Sequence, residues 1–165
     1  MATTVLHEFT HAAVAYALGV RSTLFNYLVD LDLTPAQSAT DARAIIGIAG
    51  PLFCLGLGIA AWFAFRRMRG STAELPFLFF AVFGIGTFFG NLMSASFIGD
   101  FSFAAAAMGV PMPARYAASV LGACCTAAIH FWAGRQLARW SHQWLVRWPD
   151  CLVSLCYRWS LGRQV

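Results

Sequence analysis

Charged residues are scarce in this chain of 165 residues, and lysine is absent altogether. Only 11% of the residues are charged, 59% are hydrophobic, and the mean hydropathy is +0.66. A soluble domain of ordinary composition carries about 25% charged residues, so this composition argues against that class. It predicts an integral membrane protein that folds as one bundle and has no length left for a second soluble domain.

Acidic residues are outnumbered by arginines, seven to eleven. A basic balance often indicates nucleic-acid binding. Here the arginines fall mainly between and after apolar runs, which is typical of topology signals beside a lipid bilayer. We therefore expect no nucleic-acid partner. The absence of lysine, with abundant arginine and alanine, is typical of a GC-rich bacterial gene, so we expect a multi-pass protein of the bacterial inner (cell) membrane.

The five cysteines are odd in number and form no Cys-x-x-Cys pair. Neither a disulfide framework nor a thiolate metal site is therefore indicated. Three of the five lie within apolar runs, where cysteine typically serves as a small apolar residue. The apolar start of the chain has no basic leader and no clear cleavage site, so no cleavable signal peptide is predicted.

Four apolar segments stand out, at about 2–19, 42–65, 75–97 and 114–138. A membrane-spanning helix needs about 20 residues, which the last three segments supply easily. The first is marginal, and an N-terminal truncation would produce such a short segment. The segments predict an all-α integral membrane protein with about four transmembrane helices.

The stretch LFNYLVDLDLTP, between the first two segments, has a different period. Phe25, Tyr27, Val29 and Leu31 alternate with mostly polar neighbours, which predicts a short strand-like segment after the first helix. Pro35 ends the alternation. The turn RRMRG at 66–70 is the strongest basic cluster and predicts a cytoplasmic loop.

Trp140, Trp144 and Trp148 recur every four residues near the C-terminus, so they share one helix face. Arg139 and Arg147 lie beside them. Aromatic and basic residues at this spacing predict a C-terminal interfacial helix lying on the membrane. We expect two parts: a membrane-embedded core at 1–138 and an amphipathic Trp/Arg-rich tail at 139–165.

The motif that indicates chemistry is HEFTH at 7–11. On a helix His7 and His11 lie one turn apart, so both imidazoles can reach one metal ion. Glu8 is placed to deprotonate a water that the metal activates rather than to bind the metal. A charged group in mid-bilayer costs about 2.5–3.5 kcal/mol, which marks such residues as functional candidates. The alternative is a pair of buried histidines with ordinary hydrogen bonds.

A catalytic zinc site needs a third protein ligand. The soluble metzincin pattern would place a histidine at position 17, which is Ala17. Asp100 is the best candidate, because it follows a glycine-rich stretch where a broken helix could line a site. Its alternative role is a helix cap. His130 could also face the site, although a packed, hydrogen-bonded histidine is the simpler reading.

Asn91 belongs to the same stretch, GNLMSASFIGDFS at 90–102. Its amide could hydrogen-bond a substrate backbone or a metal ligand. The alternative is an interhelical hydrogen bond.

Three pieces of the sequence, in order, resemble the site-2 protease family of intramembrane zinc metalloproteases: HEFTHAAVAYALGV at 7–20, AGPLFCLGLG at 49–58 and NLMSASFIGD at 91–100. The resemblance implies Zn²⁺ held by His7, His11 and Asp100, with Glu8 as general base. It implies a metalloprotease-like core that hydrolyses peptide bonds in or near transmembrane segments of membrane protein substrates. It also implies that the strand-like segment pairs with an unwound substrate.

Two rival functions stay open at this point. One is a catalytically inactive or truncated relative of the family that binds a metal or a partner helix without cleaving it. The other is a metal transporter, which would need further polar residues in the second and fourth apolar segments. Those segments are nearly free of carboxylates, so transport ranks last.

Overall fold

The computed structural model describes residues 2–25, 28–34 and 41–161, with side chains described at 3–25, 28–34 and 41–142. Within these residues the chain forms five helices and one pair of strands. In chain order the elements are α1 (Ala2–Ala17), β1 (Arg21–Leu24), β2 (Val29–Asp32), α2 (Asp41–Arg67), α3 (Glu74–Met93), α4 (Asp100–Ala107) and α5 (Met112–Leu161).

A tight turn at Gly19 connects α1 to the strands. Gly19 has a φ of +72°, which glycine adopts without a steric cost, and the N–H of Val20 donates to the carbonyl of Ala15 at 2.8 Å. β1 and β2 then pair antiparallel, with Arg21 opposite Asp32. The predicted strand-like segment is therefore present as β2. Its partner β1 was not predicted, because RSTL shows no apolar alternation. Tyr27 and Pro35 lie outside the described residues.

α2 is the central helix, and α1, α3 and α4 all pack against it. It begins at Asp41 and ends with Arg66 and Arg67, charges that suit the two ends of the helix dipole. α2 and α3 cross closely at Gly58 and Gly84. A Cβ at Gly58 would lie 2.6 Å from the backbone nitrogen of Ile85, so glycine is required for this approach.

Three helices of the described part are long and apolar enough to cross a membrane: α2, α3 and the Met112–His142 part of α5. The predicted helical architecture with apolar spans is confirmed to that extent. A fourth span is not confirmed. α1 has 16 residues and a length of about 24 Å, short of the roughly 30 Å of a bilayer's hydrocarbon core.

By its internal contacts the chain divides into two units, Met1–His130 and Phe131–Val165. The first unit contains a buried cluster of Ala15, Val20 and Ile46, where α1, the strands and α2 meet. In the second unit the chain is helical to Leu161. The side chains of Trp144, Arg147 and Trp148 lie outside the described residues, so the interfacial face and the 138/139 boundary stay predictions.

Candidate metal centre

Three potential metal ligands from two distant helices converge on one point. His7 and His11 project from α1, and Asp100 is the first residue of α4. His7 Nε2 lies 2.9 Å from Asp100 Oδ2 and 3.1 Å from His11 Nε2, and His11 Nε2 lies 3.5 Å from Asp100 Oδ2. Both histidines are buried. Among the described residues these three form a group that could hold a metal ion.

The spacing of the donor atoms fits zinc. Two ligand atoms about 2.0–2.1 Å from a tetrahedral zinc ion lie about 3.3 Å apart. The three observed separations, 2.9, 3.1 and 3.5 Å, bracket that value. Two imidazoles and one carboxylate are also the protein ligands of many catalytic zinc sites. The donor set and its dimensions therefore fit the ion that the sequence predicts.

α2 supports both histidine rings from behind. Nδ1 of His11 donates to the backbone carbonyl of Ile46 at 2.6 Å, which leaves Nε2 as the nitrogen with the free lone pair. Nδ1 of His7 lies 3.4 Å from Sγ of Cys54. Gly50 lies on α2 between Ile46 and Cys54, one helical turn from each of them. A Cβ at Gly50 would overlap Nε2 of His11 and lie 2.9 Å from Cε1 of His7, so glycine leaves the space that the rings occupy.

The start of α4 positions the third donor. The residue before Asp100 is Gly99, with φ +115° and ψ −177°, a conformation essentially restricted to glycine. Asp100 is the first residue of α4, and its Oδ2 lies beside the Nε2 atoms of both histidines. Asp100 lies outside the three spans. Burial by itself raises the pKa of its carboxyl, but His11 and His7 outweigh burial and lower that pKa to about 2. The carboxylate is therefore ionised at neutral pH.

Replacing Gly99 by alanine should weaken zinc binding about tenfold or more. An alanine in this conformation costs about 1–3 kcal/mol, and its Cβ would lie 2.9 Å from Oγ of Ser94. The chain would relieve the strain by moving Asp100. The measurement is zinc affinity by chelator competition in detergent. Gly90→Ala is the control, because a Cβ there meets nothing within 4 Å. Equal affinities in both variants would contradict the role of Gly99.

Glu8 lines two cavities that the donor residues also line. A cavity of about 460 Å³, here called the strand-side cavity, is lined by Glu8, His11 and Asp100 together with β2 residues from Val29 to Leu31. A second cavity of about 280 Å³, the α3-side cavity, is lined by Glu8, His7 and Asp100 together with Thr87 and Asn91. Each cavity gives access to the donor atoms beside the Glu8 carboxylate.

Of the other sequence candidates, Asn91 lines a cavity beside the donor group and His130 lies elsewhere. Asn91 lines the α3-side cavity, and its Nδ2 donates to the Thr87 carbonyl at 3.2 Å within the same helix. His130 donates from Nδ1 to the Thr126 carbonyl at 2.8 Å and lines a separate cavity with Phe79. Glu74, the other glutamate of the chain, begins α3 and accepts the Gly70 N–H at 2.7 Å, away from the donor group.

Sequence reasoning missed the support from α2. Ile46, Gly50 and Cys54 are spaced four residues apart and therefore share a helix face. Gly50 and Cys54 belong to AGPLFCLGLG at 49–58 and Ile46 lies just before it, but nothing in these residues indicates that the face lies behind a metal centre.

No family model, no curated protein and no solved structure matches this chain.

Proposed function

We propose that this protein is a zinc-dependent intramembrane endopeptidase of the site-2 type, which hydrolyses peptide bonds in or near transmembrane segments of membrane protein substrates. The observation that carries the proposal is the convergence of His7, His11 and Asp100 beside Glu8 in a chain with three apolar, span-length helices. Its expected location is the bacterial inner (cell) membrane, with the polypeptide crossing several times.

His7, His11 and Asp100 would hold the zinc ion through Nε2, Nε2 and Oδ2. Three protein ligands are the number that catalytic zinc sites typically use. When bound, zinc supplies a Lewis acid that polarises a carbonyl group and lowers the pKa of water. Two histidines and one carboxylate suit zinc better than the all-oxygen ligand sets that magnesium and calcium prefer.

Glu8 would act as the general base. Glu8 lines both cavities that the donor residues share, which supports a role for its carboxylate toward a water molecule bound there. The carboxylate accepts a proton from the attacking water and then gives it to the leaving amine. Such proton transfer typically contributes about 10²–10⁴-fold to a rate.

β2 would hold the substrate in an extended conformation. Among the described residues β2 pairs only with β1, so its other edge has no strand neighbour. Val29, Asp30 and Leu31 of β2 line the strand-side cavity together with the candidate base and two candidate ligands. A peptide segment that adds to this edge presents its backbone carbonyls along the cavity. Asn91, on the other side, would hydrogen-bond the substrate backbone with its amide.

The first test is the zinc content of detergent-purified protein. The wild type should contain about one zinc per chain, and His7→Ala and Asp100→Ala should each lose it, since two remaining ligands do not make a stable zinc site. His130→Ala is the matched control and should keep its zinc, because His130 lines a different cavity. A folded wild type that binds little zinc would overturn the proposal. Zinc lost only in His7→Ala would remove Asp100 from the ligand set.

The rival function is a family relative that binds metal or a partner helix without cleaving it. A relative that binds metal predicts the same zinc content, so only a test of hydrolysis separates it from the proposed protease, whereas a relative that binds only a partner helix predicts little zinc. Variants of Glu8 provide that test, because the rival gives this carboxylate no chemical role.

A further inference from the structure

The two candidate histidine ligands have different partners at their second ring nitrogen. The Nδ1–H of His11 meets a backbone carbonyl, that of Ile46. Nδ1 of His7 meets a side chain, the sulfur of Cys54, at 3.4 Å. A ligand's second nitrogen normally bonds a carboxylate, a carbonyl or water, and that partner fixes which nitrogen is free to bind metal. Cys54 occupies the place of such a partner.

We propose that Cys54 is a positioning residue of the metal centre: its sulfur accepts the Nδ1–H of His7 and holds the ring so that Nε2 faces Asp100 and His11. The inference rests on the zinc site proposed above. It goes beyond that site, because it assigns a function to a thiol that neither binds the metal nor touches the substrate.

Burial supports this role. Cys54 is 1% exposed, whereas Cys124 is exposed and Cys125 is only partly buried. α3 covers the position closely, because the carbonyl of Cys54 lies 2.5 Å from where a Cβ at Gly84 would stand. The Cys54 side chain is therefore buried, with its sulfur beside the imidazole. A filler residue would contact any part of the ring, but this sulfur lies within hydrogen-bond distance of the nitrogen that is not directed at Asp100.

The spacing along α2 supports it as well. Ile46 and Cys54 lie four residues before and after Gly50, so one helix face presents an acceptor, an open space and a second acceptor. The two rings, themselves four residues apart on α1, fit this face with their Nδ1 atoms toward the acceptors. Their Nε2 atoms then lie 3.1 Å apart. Both rings are oriented by the same helix, one through its backbone and one through Cys54.

The size of the effect follows from the weakness of the acceptor. Loss of a partner behind a metal-binding histidine typically costs 10–100-fold in metal affinity. Sulfur accepts hydrogen bonds more weakly than oxygen, so we expect the lower end of that range. Removal of the sulfur should therefore weaken zinc binding about tenfold.

The test compares zinc affinity, by chelator competition in detergent, for wild type, Cys54→Val, Cys54→Ala and Cys54→Ser. Valine fills the space without an acceptor, and serine keeps an acceptor. We expect Cys54→Val and Cys54→Ala to bind zinc about tenfold more weakly than wild type, and Cys54→Ser to recover most of that loss. Cys124→Val, which changes an exposed cysteine, should bind as wild type does. The visible spectrum of the Co²⁺ form should also shift in Val and Ala, because the His7 ring is released.

Two results would overturn the proposal: Cys54→Val binding as tightly as wild type, or Cys54→Ser binding no better than Cys54→Ala. In the first case the thiol only fills space. In the second case a hydrogen-bond acceptor at position 54 does not contribute to zinc binding. If the valine variant does not fold, the Ser–Ala comparison decides alone. A wild type that binds no zinc would overturn the proposed function and this inference together, whereas zinc binding unaffected by Cys54 would overturn this inference only.

Discussion

The Glu8→Gln variant should lose peptide hydrolysis by a factor of at least about 10² and keep its zinc. Glutamine has nearly the same shape as glutamate, but its amide accepts no proton from water. Glu8 lines both cavities at the donor group and is none of the three proposed ligands, so the base and the metal can be separated experimentally. The measurement is cleavage of quenched fluorescent peptides with apolar sequences, first selected with wild type, alongside zinc content.

The control for this variant is Glu74→Gln. Glu74 is the other glutamate of the chain and begins α3, where it accepts a backbone hydrogen bond outside the donor group. It should cleave at the wild-type rate. Wild-type rates in Glu8→Gln would favour the non-catalytic relative, since the proposed chemistry depends on this carboxylate. Loss of zinc in Glu8→Gln would instead mean that Glu8 helps to hold the ion.

Replacing Gly50 by alanine should reduce zinc affinity by about 100-fold, the upper end of the range for changes around metal ligands. The added Cβ would overlap the metal-binding nitrogen of His11 and lie 2.9 Å from Cε1 of His7. Both rings must move, and α2 cannot retreat easily, because α3 and α4 pack against it. One methyl group therefore disturbs two of three donors at once. Zinc affinity by chelator competition measures the effect, with circular dichroism to verify that the helices remain.

Gly56→Ala is the matched control on the same helix. A Cβ at Gly56 meets nothing within 4 Å, and alanine favours a helix over glycine by about 1 kcal/mol. The control should be as stable as wild type or more so, with unchanged zinc affinity. If Gly50→Ala bound zinc as the control does, the rings would not lie where the structure places them.

The local part of the metal centre was readable from the sequence, because it depends on a short spacing. His7 and His11 are four residues apart, and the geometry of any helix brings them together. Asp100 is 93 residues from His7, so no periodicity connects them. It was proposed from a glycine-rich context and a family resemblance, and the structure brings it to the histidines. The identity of the metal and the reaction stay predictions.

The parts that the sequence did not reveal depend on packing between helices. Gly50 and Cys54 look like ordinary small residues of an apolar helix, and only the docking of α1 on α2 places them behind the two rings. β1 was missed for a related reason: its residues show no alternation, and its pairing depends on the turn at Gly19 and on β2. The fourth span was expected from the hydropathy of residues 2–19. The helix that forms there, α1, has 16 residues and is shorter than a membrane-spanning helix.

The order of the donors along the chain has a consequence for biosynthesis. A ribosome makes His7 and His11 first and Asp100 only after α2 and α3. The nascent protein therefore carries two donors for most of its synthesis and gains the third when α4 is made. A chain that stops before residue 100 cannot form the three-donor arrangement. The proposed hydrolysis needs all three donors, so we expect it to begin only after α4 has been made and packed against α2.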